Sequence, residues 1–343
     1  MSDAAPPAPT ERGWGKLLLA LAAFLFLPHI PPLNVMLPVE DTLLLLLPAI
    51  AACCLVGWWA GGRLLLALVW VGLAVWVMTL PATPGSIDNL VRGWCLLLAG
   101  AFGLISLFGI QRPFFNRALT ATGLALGLVL LMTLRGPFTV TKTRSALQME
   151  LAKRSTATAA FFRNYARQNP DANKQMPQLA PMLDEFEQGL KATSEEAVRL
   201  APSLVLLESL VALALAWTTY HRIARTRLGA PLGPLKDFRF NDQLVWGLIA
   251  GLAIVFVPGL DFMNGVGRNL LVFFGALYAI RGLGVLSWFM PPGAFATVLG
   301  LGFIMLWWPV LNAVAFSLLA LAAFGLGLGD TWADWRRRAR PTT

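Results

Sequence analysis

The apolar positions of this chain fall into long unbroken blocks, without the two-residue or three-to-four-residue alternation of a water-soluble fold. Leu17 to Pro38, Thr42 to Ala60, Leu64 to Leu80, Val91 to Ile110 and Ala118 to Leu134 follow one another with short connections. Roughly 20 apolar residues suffice for a helix to cross a hydrocarbon core ~30 Å thick. After a polar interval the blocks resume at Leu200 to Tyr220, Leu244 to Leu260 and Asn269 to Phe289. Thr297 to Leu328 is longer, and as one helix would rise ~48 Å. A break at Trp307-Trp308-Pro309 is therefore predicted, giving two short spans or a tight helical hairpin. The pattern as a whole predicts an all-α, polytopic transmembrane bundle of about ten spans.

Prolines interrupt the first block. Pro28, Pro31 and Pro32 remove backbone donors and leave carbonyls that need other partners, so His29 and Asn34 are expected to face inward. Gly123 and Gly127 form a GxxxG pair of the kind that permits close helix approach.

The interval from Gly136 to Arg199 has a different composition, with nine Lys and Arg and seven Asp and Glu. Thr141 to Gln168 reads as a helix stopped at Asn169-Pro170-Asp171. Leu179, Met182, Leu183, Phe186 and Leu190 mark the apolar stripe of a second helix. Thr193 and Glu196 match a capping box and are expected to open the sixth span. The domain reading is then a disordered tail over 1–16, a membrane subdomain of about five spans over 17–135, an extracytoplasmic helical hairpin over 136–199 lying against the membrane surface or the bundle, a second membrane subdomain of about five spans over 200–335, and a basic tail over 336–343. Leu17 to Leu27 resembles the core of a signal peptide, but no small-x-small site follows it, so retention is expected.

Composition agrees with a membrane protein: 57% of residues are hydrophobic and 13% charged, against about 25% charged in soluble domains. The formal charge of +9 would raise nucleic acid for a soluble chain. Here the cations are partitioned, and no nucleic-acid partner is expected. With ten spans and both termini inside, one face collects Arg12, Lys16, Arg63, Arg112, Arg117, the loop residues Arg222, Arg225, Arg227, Lys236 and Arg239, and the C-terminal arginines. The opposite short connections carry Glu40, Asp41, Asp88 and Asp261, with only Arg92, Arg135 and Arg268 at helix ends. The positive-inside rule then places this chain in a bacterial inner membrane with both termini cytoplasmic. The five cations of the loop are read as an inner-leaflet or partner contact.

Two charges fall inside predicted spans, Glu208 and Arg281. An unpaired intramembrane charge costs at least ~2.5–3.5 kcal/mol on insertion scales. Measured from the outer ends of their blocks they differ in depth by roughly 6 Å, a gap an arginine bridges. They are expected either to pair or to line a polar cavity for a substrate or proton. Asn269 and Asn312 read as interhelical hydrogen-bonding groups or ligand contacts. Cys53, Cys54 and Cys95 lie in apolar runs and read as packing residues. There is no HExxH, Walker A loop or GxSxG, and only two histidines, so no metal, no cofactor and no enzymatic activity are expected.

The segments "APSLVLLESLVALALAWTTYHRIARTRLG", "PLGPLKDFRFNDQLVWGL", "NLLVFFGALYAIRGLGVLSWF" and "FGLGLGDTWADWRRR" occur in order between Pro202 and Arg338. In that order they resemble the YybS-like bacterial membrane proteins, a family named as domain of unknown function 2232. The early spans are similar in style to the substrate-binding S-components of energy-coupling-factor transporters. That resemblance implies capture of a small molecule, with energy supplied by separate coupler and ATPase partners. Two functions are therefore expected: binding or assisted transport of a small or lipidic ligand, or a scaffold that recruits protein partners, or a second copy of itself, through the 136–199 insert and the basic face.

Overall fold

The structure, a computed structural model, describes residues 14–31, 33–81, 87–109, 112–135, 140–168, 179–305 and 309–338. Among these there is no strand. The helices are α1 Trp14–Phe26, α2 Leu33–Met36, α3 Leu43–Trp59, α4 Leu64–Thr79, α5 Asp88–Phe108, α6 Phe114–Arg135, α7 Val140–Gln168, α8 Leu179–Ile223, α9 Val245–Phe256, α10 Asn264–Phe289, α11 Pro292–Met305, α12 Pro309–Ala333 and α13 Trp335–Arg338. Each predicted apolar block contributes helix. Four of the helices are long and apolar enough to cross a membrane, over Asp88–Phe108, Phe114–Leu134, Pro181–Ile223 and Asp261–Phe289. Shorter apolar helical stretches of 10–17 residues make up the rest, among them Ser317–Ala333 within the 25-residue α12. The block from Thr297 onward is two helices, α11 and α12; Trp307 and Trp308 lie outside the described residues.

α8 organises the bundle. α1, α3 and α6 pack on one side of it and α10 on another, while α9 and α12 pack on α10. Its Trp217 is fully buried, in edge contact with Phe102 at 6.1 Å and tilted against Phe114 at 5.7 Å between ring centres. The outer surface is apolar instead: Leu19, Leu65 and Leu134 are among many large side chains left exposed. A water-soluble monomer does not carry such a surface, whereas lipid tails solvate it at no cost.

The 136–199 region departs from expectation. No helix starts at Thr193; α8 is continuous from Leu179 to Ile223, 45 residues long, or ~67 Å. Its first half pairs with α7 as an antiparallel arm, held by Leu151 against Ala197 and Val198 and by Phe162 against Phe186 at 5.1 Å. The arm thus continues the axis of a membrane-length helix and does not form a separate element lying flat. The turn at Asn169-Pro170-Asp171 lies outside the described residues. Of the predicted stripe, Leu190 is buried with Val35 and Ala159, and Met182 is exposed.

The GxxxG pair is not a helix contact either, because Cβ atoms at Gly123 and Gly127 would meet nothing within 4 Å. Close approach occurs where α10 crosses α12. There a Cβ on Gly282 would strike the Ala323 carbonyl, and one on Gly327 would strike the Tyr278 carbonyl.

Candidate ligand-binding site

Contacts sort the connections into two ends. At the basic end, the Arg222 guanidinium lies 5.6 Å over Trp14, Arg117 donates to the Leu228 carbonyl at 2.8 Å, and Tyr220 Oη donates to the Thr226 carbonyl at 2.7 Å. At the opposite, hairpin end lie residues 33–42, the start of α5, the middle of α7 and the Pro202 region of α8.

The hairpin end is built on two proline breaks. Pro28 has no N–H for the Phe24 carbonyl four residues earlier, and that carbonyl accepts instead from the buried Thr42 hydroxyl at 3.0 Å. The chain leaves α1, makes a 3-10 turn over Leu27–His29, and folds back as α2. In α8, Pro202 distorts the ladder at Arg199 and Ser203. The Asn269 carboxamide from α10 bridges both, donating to the Arg199 carbonyl at 2.9 Å and accepting from the Ser203 N–H at 2.9 Å. Asn269 thus mends a helix; it does not line a cavity.

α2 is clamped over the bundle. Val35 is fully buried against Ala159 and Leu190, and Thr158 Oγ1 donates to Asn34 Oδ1 at 3.3 Å. Arg154 of α7 donates to the Asn34 and Leu37 carbonyls at 3.4 and 3.2 Å and pairs with Glu40 at 3.1 Å and Glu150 at 3.2 Å. Beneath this clamp sits Glu208, 8% exposed, with Oε2 accepting the Val39 N–H at 3.2 Å. Its Oε1 has no hydrogen-bond partner among the described residues. Trp94 beside it is fixed by donation to Ser209 Oγ at 2.9 Å.

Two cavities adjoin here. One of about 250 Å³ is polar, lined by His29, Glu40, Asp41, Asp88, Glu150, Lys153 and Arg154 around Pro38, Val39, Leu44, Ile87 and Val91. The other, about 360 Å³, is apolar; Trp94, Leu97, Leu126, Val129, Met132 and Leu206 are among its walls. Pro38, Val39, Ile87 and Val91 line both. A larger groove of about 800 Å³ between α3, α4 and α5 is apolar throughout apart from Thr79, and offers nothing to hold a polar head.

Glu208 and Arg281 do not pair. Arg281 lies at the basic end, where Nε donates to Asp330 Oδ2 at 3.0 Å, Nη1 to Asp242 Oδ1 at 2.7 Å and Nη2 to the Asp330 carbonyl at 3.3 Å. Asp330 also accepts from Arg336 at 2.6 Å, and Arg336 in turn reaches the Lys236 and Phe238 carbonyls. Asn269 and Ser203 mark a common level, from which Arg281 is ~18 Å and Glu208 ~7 Å along their helices. The basic end therefore holds a closed charge network that pins the loop to α10 and α12. Within the loop, Arg239 pairs with Asp334 at 2.6 Å, and Arg225, Arg227 and Lys236 are exposed.

Asn312 belongs to α12, and its side chain is outside the described residues. His29 and Asn34 both belong to the hairpin end, but against the expectation that both face inward His29 is exposed at the edge of the polar cavity, its Nδ1 3.1 Å from the Leu25 carbonyl, while Asn34 is half-buried in the clamp. The sequence reading missed the cavity's charged lining, having used Glu40, Asp41 and Asp88 only as topology markers. Their common sign on one face was the available signal.

Neither curated proteins nor solved structures contain a match to this chain. The sequence does match a family over residues 18–322, nearly the whole apolar region and the α7–α8 arm included. By that match the chain belongs to the DUF2232 family of predicted membrane proteins.

Proposed function

We propose that this protein binds a small amphipathic or lipidic molecule at the hairpin end and moves it, or passes it on, with partner proteins that supply any energy. The observation that carries this is that a polar and an apolar cavity lie side by side, sharing Pro38, Val39, Ile87 and Val91 as lining. The apolar one falls within the ~300–1,000 Å³ usual for ligand pockets. On this reading the helices form a multi-pass bundle in a bacterial inner membrane. The exposed Arg225, Arg227 and Lys236 support a cytoplasmic basic end, because lysine and arginine are retained near anionic lipid. The similarity to transporter S-components supports capture without an intrinsic ATPase.

Thermal unfolding of the purified protein in alkyl glycoside micelles tests the reading. Matched-chain amphiphiles are expected to raise Tm. Gly93 lines the apolar cavity and has nothing within 4 Å of its would-be Cβ, so Gly93→Phe fills the space at little cost to the fold. It should leave the unliganded Tm in place and abolish the ligand shift. An unchanged shift in Gly93→Phe, or no shift with any amphiphile, rejects the reading.

The scaffold alternative has its own observation, since the α7–α8 arm leaves Met149, Phe161 and Met182 exposed. If no amphiphile shifts Tm while Met149→Glu and Phe161→Glu together dissolve a native, stoichiometric complex, the scaffold reading takes its place.

A further inference from the structure

Resting on the amphipathic-ligand reading above, we propose that the hairpin-end site selects a cationic head, a protonated amine or a quaternary ammonium, joined to an apolar chain. The polar cavity is lined by four carboxylates, Glu40, Asp41, Asp88 and Glu150, against two cations, Lys153 and Arg154. Arg154 is not available to an anion. Its guanidinium is consumed by Glu40, Glu150 and the carbonyls of Asn34 and Leu37. Lys153 is exposed, at the rim. Behind the wall shared by the two cavities lies a further carboxylate, Glu208, buried and with Oε1 unpartnered among the described residues. Its other oxygen is held by the N–H of Val39, a residue of that wall.

The field in the polar cavity is therefore negative, with four carboxylates against two cations. A cationic head neutralises this excess. An anionic head adds to it and must also be desolvated, and a neutral one leaves it as it was. Charge thus sets which amphiphile stays, while the apolar cavity between α5 and α6 takes the chain.

Binding of dodecylamine, dodecanol and dodecanoate to the full-length protein in neutral micelles, each against Gly93→Phe as the reference for partitioning, decides this. The amine is expected to bind at least tenfold more tightly than the alcohol, and the carboxylate most weakly. Asp41→Asn with Asp88→Asn should reduce the amine preference to within about threefold, and Lys153→Gln should widen it. Amine and alcohol binding alike, or carboxylate binding best, overturns cationic selection and leaves the amphipathic site standing. If none of the three binds wild type better than Gly93→Phe, both readings fall.

Discussion

Arg281 and Glu208 are both buried at membrane level, yet their surroundings differ in kind. Arg281 has two carboxylates and a carbonyl around it, and Asp330 is shared with Arg336, so no charge in that group is left alone. Glu208 has one N–H and an idle oxygen. Removing the shared anion by Asp330→Asn leaves the buried Arg336 with backbone carbonyls alone and the buried Arg281 with Asp242 as its remaining carboxylate, and is expected to cost about 3–5 kcal/mol. Glu208→Gln keeps an acceptor for Val39 in a side chain of the same shape, and is expected to change stability by less than about 1 kcal/mol. Thermal unfolding in detergent reads both, and equal losses would contradict the assignment of one as structural and the other as available. That these residues are special was legible in the sequence, because charge inside an apolar block is conspicuous. Their partners were not. Block ends give depth along a helix but not rotation about it, and Asp330 lies beyond the end of the apolar block at Leu328, although its helix runs on to Ala333.

The apolar segments were legible as helices because membrane burial writes them as uninterrupted blocks, and the break between α11 and α12 follows from length alone. The internal unity of α8 was not legible. Thr193 and Glu196 have capping-box spacing, but a cap forms only where the backbone leaves the helix. Leu190 is held by α2, and Ala197 and Val198 are held by α7, on either side of that point, so the helix continues. α2 is the converse case: four residues too few to be stable alone, kept in place by Arg154, Thr158 and the burial of Val35. It forms the roof over Glu208, between Pro28, Pro31 and Pro38. Arg154→Ala should loosen that roof by about 2 kcal/mol. In a Val35→Cys background, maleimide labelling should be slow with Arg154 present and more than tenfold faster without it. Labelling at the same rate in both would show that α2 is not clamped by Arg154.

Across the molecule, the cations of the short loops gather at one end and the carboxylates Glu40, Asp41 and Asp88 at the other, where they meet Lys153 and Arg154 of the α7–α8 arm; the division of the short loops is already visible in the order of charges along the chain. The site itself was not visible there. It draws on residues 29–41, 87–97, 126–133, 143–154 and 201–208, five stretches whose only common property is where the folded helices place them. The proline breaks at Pro28 and Pro202 make that convergence: one turns the chain back as a roof, the other is mended by Asn269 at the foot of the arm. The most direct test of the resulting account is photo-cross-linking with an alkylamine that carries a diazirine at its chain terminus, followed by peptide mapping. Label should concentrate on 90–97 of α5 and 126–133 of α6 and be lost in Gly93→Phe. Label spread over the lipid-facing side of α4, or concentrated in the groove at Gly100 and Gly103, would contradict it.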